Sequence, residues 1–175
     1  LSRLVELPLR DDRGAADFGL DLSDPLAFLS GQNAPGHYLV GVRKLDSSSR
    51  REWVRVQVTD LCLTTIEEPQ AVQFLVTSLS TGKPVRNAQI TVEGFRYNSD
   101  DWVQAFDERT DRDGEARWRV RGGHGVNLRR ITVRWGDDLL VLDPKHPPER
   151  YQNGHWQGWR GTWLGWTGGD VSSRE

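Results

Sequence analysis

The sequence predicts an all-β fold, an immunoglobulin- or fibronectin-like antiparallel β-sandwich. Three observations carry this reading. Short runs of alternating apolar and polar residues recur along the chain. Turns rich in Gly, Pro, Asn, Asp and Ser separate them at spacings of about 8–12 residues. No segment keeps a 3.6-residue apolar period over three turns, as an amphipathic helix does.

The elements follow in order. Leu4 to Leu9 alternates, and Pro8 marks it as an edge strand or a strand end. Asp17 to Leu22 alternates more cleanly. Ser23-Asp24-Pro25 places capping residues before a Pro suited to a first helical turn, so Ser23 to Leu29 reads as a single turn of helix. Ala34-Pro35-Gly36 is a turn and His37 to Val42 a strand. Three strands cannot bury both faces of a sandwich. Residues 1–50 therefore read as the C-terminal part of a preceding β domain, closed by the polar segment Asp46 to Arg51.

Residues 51–143 read as one complete sandwich. Trp53 to Leu63 is expected to form a long strand with Val54, Val56, Val58, Leu61 and Leu63 pointing inward. Glu67 to Gln70 is a turn, followed by strands at Gln73 to Leu79 and Val85 to Val92, with Thr81-Gly82-Lys83-Pro84 turning between them. A polar loop is expected from Gly94 to Asp101, then a short strand from Trp102 to Phe106. Thr110-Asp111-Arg112-Asp113-Gly114 is a tight turn feeding the strand Glu115 to Val120. Gly122 to Gly125 turns the chain again, and Arg130 to Trp135 and Leu139 to Leu142 complete the set. The last stretch, 144–175, alternates poorly and is rich in Gly and Trp. It reads as a linker or tail that packs on something through Trp156, Trp159, Trp163 and Trp166, four of the eight tryptophans. Those four are the candidate interdomain contacts, since Trp occurs mostly at buried or interface positions.

Composition excludes several functions. A net charge of −2 among 175 residues gives no bulk attraction for nucleic acid or an anionic membrane. Lys44, Lys83 and Lys145 are the only lysines among the 23 basic residues, an arginine bias that reads mainly as codon choice in a GC-rich genome and, as the alternative, as an Arg-rich binding face. The chain begins at Leu1 and contains no Met, so it reads as a piece or a processed form of a longer protein. A run of 18 apolar residues does not occur, and neither does a signal-peptide pattern. Cys62 stands alone, which rules out an internal disulfide framework and suits a small buried hydrophobe.

The chemistry-bearing motifs are weak. In Thr110 to Gly114, Asp111, Asp113 and Gly114 resemble part of a calcium loop, but Arg109 stands at the first ligand position and no acidic residue closes the loop. A plain turn, with Gly114 at positive φ, is the expectation, and no metal is expected there. His37, His124, His146 and His155 show no ligand spacing. There is no nucleophile elbow, no His-Glu-x-x-His and no phosphate-binding loop leading into a helix. The pairs Asp100-Asp101 and Asp137-Asp138 sit in turn-like segments and read as solvated. No enzyme and no cofactor are expected.

The wording "TGKPVxxAxI" at Thr81 to Ile90, then "TDxDGxAxW" at Thr110 to Trp118, resembles the macroglobulin-like domains of bacterial alpha-2-macroglobulins. "PGHYLV" at Pro35 to Val40 is similar to the strand that closes such a domain, and "VTDLCLT" at Val58 to Thr64 to the opening of the third one. The resemblance implies a non-catalytic scaffold within a large periplasmic protease trap, anchored to the inner membrane, if at all, through parts outside these residues. Its partners would be neighbouring macroglobulin-like domains and, for the full-length protein, target proteases of a host or rival. The family's thioester requires a Cys-x-Glu-Gln run; Leu63, Thr64 and Thr65 follow Cys62, so this cysteine is not it. The alternative reading is a cell-surface adhesion or carbohydrate-binding sandwich that uses the tail tryptophans as sugar platforms.

Overall fold

The computed structural model describes residues 4, 21–30, 34–43, 51–120 and 125–145. The chain divides into two compact units, Leu1–Val58 and Thr59–Glu175. Among the described residues no helix is long and apolar enough to cross a membrane.

Among the described residues the first unit contains one helix and one hairpin. Helix α1 (Ser23–Ser30) is two turns long rather than the single turn expected. It starts where the Asp21 carboxylate accepts the Ser23 N–H at 2.8 Å; hydrogen bonding from the Ser23 side chain first, and from this N–H second, holds the Asp21 carboxyl below its ordinary pKa. Strand β1 (Gly36–Arg43) pairs antiparallel with β2 (Arg51–Val58), from Gly36 opposite Val58 to Arg43 opposite Arg51.

That pairing corrects two expectations. Trp53 to Leu63 is not one strand: the chain bends at Thr59-Asp60, and β3 (Leu61–Glu68) begins afresh in the second unit. Residues 51–58, expected in the sandwich, pair with β1 instead, so the division falls after Val58 and not after Arg50. The break has a physical reason. Asp60 spends its backbone and side chain on a corner, where its N–H goes to the Asp138 carboxylate and its carbonyl to Leu79 N–H. It therefore cannot continue a ladder.

Among its described residues the second unit forms an antiparallel sandwich of seven strands. One sheet has the order β3-β4-β7, with β4 (Ala71–Ser78) between β3 and β7 (Glu115–Arg119). The other has the order β6-β5-β8-β9, from β5 (Gln89–Arg96), β6 (Trp102–Arg109), β8 (Val126–Trp135) and β9 (Asp138–Leu142). The expected Gly94–Asp101 loop is shorter, because β5 runs on to Arg96. The expected short strand at Trp102 runs on to Arg109.

Alternation fixes which residues fill the space between the sheets. Val72, Phe74 and Val76 on β4 face Ile90, Val92, Leu128, Ile131 and Val133 from the other sheet, all fully buried. A ring stack crosses the gap: Phe106 lies 5.2 Å from Phe74 and 5.8 Å from Trp118, centroid to centroid. Burying such a set removes several large apolar side chains from water, about 1.5–3 kcal/mol for each. The sandwich thus contains its own core.

Candidate functional site

The four tail tryptophans, Trp156, Trp159, Trp163 and Trp166, lie outside the described residues, as do His124, His146 and His155. His37 sits on β1 and Cys62 on β3, where it is half-buried opposite Thr77. Among the described residues no three His, Cys, Asp or Glu side chains gather in a way that could hold a metal ion.

The Thr110 to Gly114 turn is a structural latch. Asp111 Oδ1 accepts the N–H groups of Asp113 and Glu115, both at 2.9 Å, so that oxygen is committed to the turn's own backbone. Gly114 has φ +76°, and a Cβ there would lie 2.6 Å from the Val76 carbonyl oxygen and 2.9 Å from Pro84 Cβ. Its own carbonyl accepts Val76 N–H at 2.9 Å. Thr110 is 4% exposed; its hydroxyl donates to the Val85 carbonyl at 2.7 Å and accepts Ala88 N–H at 2.9 Å. One short turn therefore ties the irregular 84–88 segment to the sheets.

A second polar cluster forms the corner at the start of the sandwich. The Asp60 carboxylate accepts the Ser78 hydroxyl at 2.7 Å, Ser80 N–H at 2.7 Å and the Ser80 hydroxyl at 3.1 Å. These bonds, the one from Ser78 first, hold its carboxyl below the ordinary 3.8. Asp138, read from sequence as solvated, is 7% exposed and receives Asp60 N–H at 2.8 Å. Its second carboxylate oxygen, Oδ1, is buried with no hydrogen-bond partner.

The third arrangement is a surface. Two bulges meet at Glu93-Gly94. On the β6 side Val92 pairs with Phe106 and Glu93 with Gln104, which leaves Ala105 extra. On the β8 side Glu93 pairs with Arg130 and Gly94 with Leu128, which leaves Arg129 extra. Gly94 permits the close approach, since a Cβ there would lie 2.1 Å from the Asn127 carbonyl oxygen. Bulges re-aim side chains, and here four of them interlock. Trp102 Nε1–H donates to Glu93 Oε1 at 3.3 Å, and Arg130 Nε–H to Glu93 Oε2 at 2.8 Å. The Arg130 guanidinium lies over the Trp102 ring at 5.2 Å, and Phe95 meets that ring edge-on at 5.1 Å. Trp102 is nonetheless 44% exposed.

Beside it lies an open hollow of about 520 Å³, bordered by Phe95, Arg96, Tyr97, Asp100, Asn127 and Arg129 among others. This cluster was not legible in the sequence. Glu93 and Arg130 are far apart in the chain, and Gly94 looked like the start of a loop. A Gly between Glu93 and Phe95 in an otherwise alternating run was the one available signal of a bulge.

Comparison with known proteins gives the following. No family model matches the chain. An alpha-2-macroglobulin homolog of Deinococcus radiodurans is 33% identical over 82 residues, which is 43% of this chain and 8% of that protein. The crystal structure of native alpha-2-macroglobulin from Escherichia coli spanning domains MG0-NIE-MG1 shares the fold, with a TM-score of 0.53 and 12% identity over 71% of this chain and 37% of that one. A second structure of that protein, spanning NIE-MG1, aligns with 64% of this chain and 50% of its own, at a TM-score of 0.48 and 14% identity.

Proposed function

We propose that this chain, whose sandwich is a macroglobulin-like domain of the bacterial alpha-2-macroglobulin family, serves as a non-catalytic scaffold in a large protease trap. The observation that carries the reading is the 33% identity to the Deinococcus homolog, a protein of which the matched stretch is only a small part. The turn wording of Thr81 to Ile90 and Thr110 to Trp118 supports it, because those residues form the latch that closes the fold. In this reading the sandwich holds neighbouring macroglobulin-like domains in place, while target proteases engage other parts of the protein. The "VTDLCLT" opening argues for the third such domain. Residues 36–58 would belong to the domain before it: a two-stranded hairpin is marginal alone, and this one leaves Leu39, Val42, Trp53 and Val54 exposed. Trp156, Trp159, Trp163 and Trp166 would contact a neighbouring domain. A periplasmic location, with an anchor to the inner membrane carried elsewhere, follows from the same reading.

The experiment mixes the 175-residue chain with trypsin or elastase at equimolar ratio and follows a large protein substrate. The expected result is no cleavage by the chain alone and no protection of the substrate. Dose-dependent protection at concentrations too low for simple competition would show inhibitory function in this piece and sink the scaffold reading. Binding of saccharides to the chain would favour the adhesion alternative.

A further inference from the structure

We propose that the Trp102 end of the four-stranded sheet is a docking surface for a neighbouring β domain of the longer protein, and that the partner meets it with a carboxylate set among apolar side chains. The inference rests on the scaffold reading above and specifies which face of the sandwich performs it.

Rigidity is the first support. Exposed tryptophans on a free surface have little to hold them, yet Trp102 on β6 is fixed by Glu93 and Phe95 on β5 and by Arg130 on β8. Such an anchor loses little side-chain entropy when a partner covers it. Its N–H is already satisfied, so the ring's open part offers apolar area alone. Tyr97, 47% exposed, stands close by on the rim of the hollow. Trp, Tyr and Arg are the residue types that dominate the centres of protein interfaces.

Charge supplies the partner's chemistry. The Glu93 carboxylate is taken by Arg130 and Trp102. Arg96 and Arg129 border the hollow, and neither forms an ion pair among the described residues. Asp100 is the one carboxylate on the same rim. Two guanidinium groups against one carboxylate leave the hollow in need of a negative group, and guanidinium matches carboxylate in planar, two-bonded geometry. The bulge that makes Arg129 the extra residue is the device that turns it onto this face beside Arg130.

The partner is part of a longer chain because the Deinococcus relative extends far beyond the matched stretch. The opposite end of the same sheet supplies a reference residue. Trp135 is also exposed there, at the end of β8 beside the Gly136-Asp137 turn.

Hydroxyl-radical footprinting read by mass spectrometry tests this, comparing the 175-residue chain with the longer protein that contains it. Trp102 and Tyr97 are expected to oxidise roughly fivefold more slowly in the longer protein, as residues at a water-excluding interface centre do, while Trp135 oxidises equally in both. An Arg96→Glu/Arg129→Glu variant of the longer protein is expected to regain most of the lost oxidation; its circular dichroism and melting curve check that the exposed changes leave the fold intact. Protection of Trp135 but not Trp102 overturns this surface and leaves the scaffold reading standing. No change at any sandwich residue overturns both. Protection of Trp102 in the short chain that grows with concentration would identify a second copy as the occupant and overturn the proposal. Protection that survives both Arg reversals would overturn the carboxylate chemistry.

Discussion

Val54 and Val56 alternate with Arg55 and Gln57 in β2 much as Val72, Phe74 and Val76 alternate with Gln73, Leu75 and Thr77 in β4. The first pair of valines belongs to a hairpin with most of its side chains in solvent, and Leu39 on β1 is 66% exposed. The second set is the fully buried centre of a two-sheet core. Period-two alternation therefore specifies a strand but not what covers it. Cover comes from a second sheet, and among the described residues the 59–145 segment contains the strands that supply one. The Thr59-Asp60 corner marks where one arrangement gives way to the other.

Four substitutions probe that contrast. Phe74→Ala removes a fully buried ring at one end of the aromatic stack and is expected to destabilise the sandwich by about 3–5 kcal/mol in urea melts. A much smaller loss would mean that the core collapses around the gap. Gly114→Val imposes a β-branched side chain at φ +76° against the Val76 carbonyl and Pro84, with an expected cost of about 2–4 kcal/mol from strain and crowding together. Near-normal stability would place Gly114 in an ordinary backbone region.

Thr110→Val keeps the shape but strands Ala88 N–H and the Val85 carbonyl inside the fold. About 1–3 kcal/mol is expected, with no change in the slope of the denaturant curve. Val54→Thr in the hairpin is expected to change the protection of β1–β2 amides in hydrogen exchange by no more than about 0.5 kcal/mol. A larger effect would show that the hairpin's face is covered in solution, and the contrast between the two regions would vanish.

Most strands were legible because each carries its own alternation and is bounded by turn residues. Thr110 to Gly114 was legible to the level of φ, because Asp and Gly at those offsets suit one kind of turn. What escaped depended on distant partners. The run from Trp53 to Leu63 gave no sign that Asp60 would be drawn to Asp138 and to Ser78. Asp138 read as a solvated turn residue, because nothing local shows that Asp60 N–H would cap it inside the fold. Gly94 punctuated the sequence as a loop signal, whereas the chain uses it to let two strands approach within a bulge. The Trp102 cluster was hidden for the same reason, as its four members come from three strands.

The position of β4 in its sheet also bears on how the molecule is made. Its neighbour on one side, β3, immediately precedes it, but its neighbour on the other, β7, pairs Ala116 with Phe74 and Arg119 with Ala71. During synthesis this edge of β4 must wait until the whole of β5, β6 and the Asp111–Gly114 turn has left the ribosome. Non-local pairing of this kind slows folding and prolongs the exposure of an aggregation-prone edge. Just before β7 the chain carries Asp107 to Gly114, six charged residues in eight, a stretch of the kind that opposes association of exposed strands.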